Sequence, residues 1–435
     1  MTKTALKNGL FGLVAAAILA VMCVMAVQSR VNVHPDELDH INAGRYFIRY
    51  WDFPALDDPR LAHTFSNYGV TYLQQLDVVY FFAGKFARLV LPFVGKDYLA
   101  LRFFNIFLFA VLMLLFLRLP DDRKIAFVPL FITPQIWYIF SYFNGDAFPF
   151  FLAFCMVYFA ARGDPPLTPT PPSLRNRNTR RLVWLGALLG LVCISKQNYY
   201  VFAGFLLAYF GLCGLAAKDM RAAAKNAVVV FGLAAMLFAA RWGYNVYVNR
   251  TVRPEAPTQY AEKYASEDYK PSAQEAGTQF WGLRMRDQGL TYPQLFTVWT
   301  WHIWSFRTSF GVYDYMKIYA PFVYYRYMAY LLWALMGALA LALILHGGPG
   351  GGEAVLVFLA FAGLAIFQST WHSWVADFQA QGRYLFPIGP MAGMLLARFA
   401  KAANRTLPVT APLAAGMFVL AFYSFVWVGL AHIPK

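Results

Sequence analysis

The chain has 435 residues, 59% of them hydrophobic and only 14% charged, with a mean hydropathy of +0.46. That composition excludes the few soluble domains that such a length would otherwise suggest and points to a polytopic membrane protein. The formal net charge of +15 does not indicate nucleic acid, because the basic residues form no single patch; they lie in short clusters between apolar runs, as cytoplasmic loops do.

Lys3 and Lys7 precede an uncharged stretch over residues 9–27. It is longer than a signal-peptide core and has no small-residue cleavage site, so it reads as a retained first span running from the cytoplasm outward. Directly after it comes Val33-His34-Pro35-Asp36-Glu37-Leu38-Asp39-His40, a dense group of ionisable residues. Proline at the first helical position with acids in the first turn is an ordinary helix start. A helix over residues 36–51 would also put Asp36, Asp39 and His40 on one face at i, i+3, i+4, where they could serve as a general base or as part of an oxygen-rich cation site. A second helix is predicted over residues 68–91, with Gln74, Gln75, Asp77, Lys85 and Arg88 on its polar side, lying in the interface plane. Residues 28–98 thus form a first outer loop.

Further spans are expected at residues 99–119, 125–142 and 147–161, with Asp146 capping the last or serving a site. The Pro- and Arg-rich segment 162–181, carrying Arg175, Arg177, Arg180 and Arg181, is the strongest cytoplasmic signal. Spans at 182–195 and 199–216 flank Lys196-Gln197-Asn198, and one at 226–244 opens into a second outer loop, 245–319. Spans at 320–345, 354–370, 384–400 and 408–430 bring the expectation to about eleven transmembrane helices in one all-α domain covering residues 1–435. The glycine run at 347–352 is a turn; it lacks the Lys-Ser/Thr ending of a phosphate loop. Cys23, Cys155, Cys193 and Cys213 all lie in apolar runs without metal-ligand spacing.

On this topology Asp36, Glu37, Asp39, His40, Asp146, Lys196, His372, Asp377, Arg383 and Tyr384 all fall at the outer ends of spans. Each has an ordinary reading: a helix cap, a snorkelling cation, an interfacial histidine. Their common side sets them apart. A transporter would place ionisable groups near the midplane, often on paired broken helices. A lipid-linked glycan polymerase or ligase would work through arginines and histidines of a large outer loop.

An inside-to-outside first span, an acidic motif, an interfacial helical loop and many later spans resemble the GT-C class of membrane glycosyltransferases, which includes protein mannosyltransferases, aminoarabinose transferases and oligosaccharyltransferases. Pro35-Asp36-Glu37 with His40 carries the resemblance. So do Ser305-Phe306 with Phe310-Gly311, and Gln381-Gly382-Arg383-Tyr384 with Pro387. The resemblance implies a transferase that moves a sugar from a polyprenyl-phosphate donor to a glycan, lipid or protein acceptor on the outer face of a bacterial inner membrane, with inversion. It assigns catalytic roles to Asp36, Glu37 and Asp146, and substrate contacts to Asp39, His40, Lys85, Lys196, Arg383 and Tyr384. A divalent cation, Mg or Mn, is an optional cofactor, with Asp36, Asp146 and His40 as its candidate ligands. The short tail after the last span favours the monosaccharide transferases over the oligosaccharyltransferases.

Overall fold

The computed structural model of the chain describes residues 3–74, 78–162 and 177–435, the side chains of 3–7 and 177 excepted. Gln75, Asp77, Arg175, the Arg177 side chain and most of the loop expected at 162–181 lie outside the described residues.

The fold is helical throughout. In chain order it comprises α1 (Lys3–Gln28), α2 (Glu37–Arg49), α3 (Val79–Val94), α4 (Asp97–Leu117), α5 (Pro134–Ser141), α6 (Ala147–Ala161), α7 (Arg177–Cys193), α8 (Tyr200–Ala217) and α9 (Met220–Val248). These are followed by α10 (Ala256–Tyr264), α11 (Pro271–Ala276), α12 (Gln294–Thr297) and α13 (Trp301–Ser309), then α14 (Phe322–His346), α15 (Gly351–Val375), α16 (Ile388–Arg398), α17 (Ala400–Arg405) and α18 (Leu407–Tyr423). A two-residue antiparallel hairpin, β1 (Val312–Tyr313) against β2 (Ile318–Tyr319), is the one sheet among the described residues.

Seven described helices are long and apolar enough to cross a membrane, and a bent pair would make eight. That pair replaces the straight third span expected at 125–142. A 3-10 turn over Asp121–Leu130 meets α5 at 71°, because Pro129 and Pro134 interrupt the amide ladder at the junction. The expected fourth and tenth spans are short helices, α6 with 15 residues and α16 with 11. The helix predicted over 68–91 also starts later. Gly69 takes φ +73°, Phe65 pairs with Thr71, and Ser66 N donates to Val70 O at 2.8 Å. The chain is therefore a tight turn through residue 71, and α3 begins only at Val79.

Lipid tails are as apolar as the helix sides, so association depends on close packing. On α7, Gly186 and Gly190 repeat at the small-x-x-x-small spacing. A Cβ at Gly186 would lie 2.9 Å from Val230 O, and one at Gly190 2.8 Å from a Leu237 methyl, both on α9. This contact brings the two backbones together along their length. The 245–319 segment carries short helices, and its Met285, Leu295 and Trp301 form a small core with Ala380, against which Trp374 and Phe378 pack.

Candidate active site

Asp36, Asp146, Lys196 and Arg383 occupy the connections after α1, α5, α7 and α15, all at one end of the bundle. Asp36 holds φ 58°, ψ 11°, a left-handed conformation that costs an ordinary residue about 1–2 kcal/mol and that Asp tolerates better than most. The helix thus starts at Glu37 and not at Pro35, which corrects the reading of Pro35 as first helical residue. Asp36 precedes the helix, so it does not share a helical row with Asp39 and His40. Its carbonyl accepts from His40 N at 3.2 Å, while its side chain makes no capping bond. Its carboxylate instead accepts from Arg383 Nη2 at 2.7 Å.

Asp146 does not cap α6 through its side chain; Asn144 Oδ1 takes that role, accepting from Asp146 N at 2.8 Å and Ala147 N at 3.2 Å. The freed carboxylate is 1% exposed. One oxygen pairs with Lys196 Nζ, and the other lies 3.8 Å from Arg383 Nη1. Arg383 is delivered by a close approach between two of the sequence motifs. Gly382 N donates to Thr308 Oγ1 at 2.8 Å, and a Cβ at Gly382 would lie 2.6 Å from Ser309 Cα. Only glycine fits there. The result is an alternating cluster, Asp36–Arg383–Asp146–Lys196, in which Asp146 Oδ2 and Arg383 Nε have no hydrogen-bond partner. Buried polar atoms are rarely left so.

Asp36, Arg383 and Lys196 of this cluster form the polar end of a cavity of about 1140 Å3, lined also by His40, Tyr68, Tyr72 and Tyr384, while Asp146, expected as a catalytic residue, is absent from the lining and meets it only through Lys196 and Arg383. One wall, between α8 and α15, is apolar, with Tyr200, Val201, Gly204, Phe361, Leu364 and Phe367. Gln368, His372 and Gln379 also line the cavity. His372, expected as an interfacial residue, thus faces the cavity, one turn from Gln368 on α15.

Burial opposes charge on Asp36, but the charge and hydrogen bond of Arg383, with His40 and Lys196, outweigh it and hold the carboxyl below its usual range. Burial likewise opposes charge on Asp146, and Lys196 with Arg383 again wins. Asp39 is different: burial and then the charge of Asp36 push it up to about 6. Burial drives His40 down to about 3 despite Asp36, so its imidazole is neutral at neutral pH. Its Nδ1 bonds Tyr80 Oη at 2.6 Å and its ring stacks on Tyr72 at 4.7 Å.

Three expected site residues face elsewhere. Glu37 is fully buried against Arg102, with bonds of 2.7 and 2.8 Å, and does not line the cavity. Asp39 accepts a backbone bond from Asn67 and is also absent from the lining. Lys85 caps the end of α2, donating to Phe47 O at 2.7 Å and Tyr50 O at 2.6 Å. Tyr384 does line the cavity; its hydroxyl donates to Gln379 and Lys196 Nζ sits 5.8 Å from its ring. Tyr68, Tyr72 and Gln368 escaped the sequence reading, since no chemistry distinguishes them from belt aromatics or a helix-surface amide.

A divalent cation such as Mg or Mn takes about six oxygen ligands. Here the carboxylates of Asp36 and Asp146 are engaged by Arg383 and Lys196, and Nδ1 of His40 by Tyr80. No group of three or more His, Cys, Asp or Glu able to hold a metal gathers among the described residues. This donor set does not fit such an ion.

No protein-family model matches the chain, and no curated protein matches it. Among the solved structures that resemble it are the following two. One is ArnT from Cupriavidus metallidurans bound to undecaprenyl phosphate, with TM-score 0.53 and 14% identity over 97% of this chain and 63% of that one. The other is an oligosaccharyltransferase from Archaeoglobus fulgidus tethered to an acceptor peptide, with TM-score 0.43 and 11% identity over 94% and 55%. The chain thus spans less than two thirds of the length of either. Its fold is that of the GT-C membrane proteins, and Asp36 of the acidic motif after α1 lines the cavity described above.

Proposed function

We propose that the protein is a membrane glycosyltransferase that moves a sugar from a polyprenyl-phosphate donor to a hydroxyl-bearing acceptor. The carrying observation is the cavity itself: an apolar wall between α8 and α15 leading to a polar end where Arg383 and Lys196 stand beside two carboxylates. A polyprenyl chain suits the wall and its phosphate suits the cations. ArnT, which shares the fold, was solved with undecaprenyl phosphate.

In this reading Arg383 and Lys196 exchange their carboxylate partners for the donor phosphate. The C1–O bond to phosphate breaks with its electron pair going to the phosphate, where fixed cations stabilise the growing charge. Release from Arg383 restores basicity to Asp36, which takes the proton of the acceptor hydroxyl as that oxygen bonds C1 from the opposite face. Inversion at C1 follows. Asp146 holds Lys196 and Arg383 in place between turnovers. His40 and Tyr384 offer neutral hydrogen-bonding groups to the substrate, and Glu37 is assigned to structure.

The site end of the bundle is read as facing the exterior, the periplasm in a bacterium. In support, Lys218 lies between α8 and α9, Arg221 and Lys225 in the first turns of α9, and Arg398, Lys401 and Arg405 around α17, all at the other end. The test incubates the purified protein with a panel of polyprenyl-phosphate sugars and saccharide, lipid and peptide acceptors. Transfer or slow donor hydrolysis that Asp36→Asn abolishes is the expected result. Full activity in that variant, or substrate movement across vesicles without any chemistry, would overturn the assignment.

A further inference from the structure

A second cavity, of about 440 Å3, lies between the first loop and the segment after α9, within the size range of small-ligand sites. Its walls are built firmly. Gly69, at φ +73°, lies so close to α10 that a Cβ there would sit 2.6 Å from Ala261 Cα. The Phe65 ring stacks on Tyr264 at 4.3 Å and packs on Tyr260 at 5.4 Å. Asn249 is the hub: it accepts from Leu56 N at 2.8 Å and donates to Gln74 Oε1 and Asn245 O, each at 2.9 Å.

Two features point to a ligand. Gln74 lines both this cavity and the main one, so the two are neighbours across a single side chain, which Pro54 O anchors at 2.7 Å. The lining is otherwise uncharged except for Arg253, which is exposed and has no carboxylate among the other lining residues. Amides with hydrogen-bonding capacity left over suit sugar hydroxyls, and an aromatic face such as Tyr260 suits the apolar face of a pyranose. A guanidinium suits a carboxylate or phosphate.

We propose that this second cavity is the acceptor subsite and takes an anionic saccharide unit, with Arg253 pairing its acidic group and Asn245 bonding its hydroxyls. The proposal rests on the glycosyltransferase reading of the main cavity, since an acceptor is meaningful only beside a donor. Its binding test, however, needs no catalysis.

Binding of trigalacturonate, a phosphorylated maltotriose and neutral maltotriose to the purified full-length protein in nanodiscs would be measured by saturation-transfer NMR, alongside donor hydrolysis without acceptor. One or both anionic probes should bind at least tenfold more tightly than maltotriose; which of them does so identifies the acidic group. Arg253→Gln should abolish that preference, and Asn245→Ala should weaken all saccharide binding several-fold, with hydrolysis unchanged in both. Equal affinity for the three probes, or variants without effect, would overturn the subsite. Loss of anionic preference in Arg253→Gln, with no donor hydrolysis by the unmodified protein, would overturn the transferase reading and leave the saccharide site standing.

Discussion

Two adjacent carboxylates, Asp36 and Glu37, meet two arginines on opposite sides of the start of α2, and the pairs differ in every respect that bears on chemistry. Glu37 and Arg102 are each 0% exposed. Every guanidinium nitrogen of Arg102 is bonded: to both Glu37 oxygens, to the carbonyls of Ala26, Ser29 and Arg30, and to Ser29 Oγ. That pair ties the end of α1 to α2 and α4 and has no capacity left for a substrate. Asp36 is 19% exposed, Arg383 keeps an unpartnered Nε, and both line the main cavity. A saturated pair holds a fold together. An unsaturated one at a cavity can change partners.

The sharpest way to break this contrast is to remove one charge at a time from the two acids. Asp36→Asn should lower the transfer rate about 10²–10⁴-fold, the usual worth of a positioned general base, with the thermal transition nearly unmoved. Glu37→Gln should do the reverse. It leaves Arg102 buried without its counter-charge, a loss of about 3–5 kcal/mol, read as a large drop in melting temperature with near-normal activity per folded molecule. Equal effects of the two variants on rate would erase the distinction.

Next in size is Arg383→Lys. It retains the positive charge but not the planar fork that reaches Asp36 and Asp146 together, so the rate should fall about 10²-fold, as for loss of one preorganised donor. Lys96→Arg, between α3 and α4 and outside the cavity lining, serves as the control for exchanging the two cations in general. A full rate in Arg383→Lys would mean that a point charge suffices.

The smallest expected effect concerns pH. Asp39 ionises near 6 in the fold against an ordinary 3.8, so the native state prefers it neutral. Stability relative to the unfolded chain is therefore lost as pH rises from about 3.8 to about 6. Over the upper part of that window a negative charge appears beside Asp36 and disfavours an anionic donor. The donor KM should rise a few-fold between pH 5 and 7, and Asp39→Asn should flatten that rise. An unchanged profile in the variant would assign the titration elsewhere.

Much of this was legible in the residues themselves. Apolar runs long enough to span a bilayer have one stable solution, a helix that satisfies its own backbone, and so the all-α membrane class and most span positions followed from composition and length. The polar residues of the site could also be chosen, because charges at the ends of apolar runs are conspicuous. Their arrangement could not. Asp36 and Glu37 are indistinguishable acids in sequence, and a backbone turn into the left-handed region sends one to the cavity and the other to Arg102. Asp146 reads as a cap until Asn144 is seen to take that role. Lys85 reads as a phosphate partner until it is seen at the carbonyls closing α2. Local composition was enough for a helical membrane protein whose carboxylates and partner cations gather at one set of helix ends. Which of those groups meet is set by packing, since ion pairs spanning 50 residues between Lys196 and Asp146 and 347 between Arg383 and Asp36 depend on how the helices come together, and local periodicity carries no record of that.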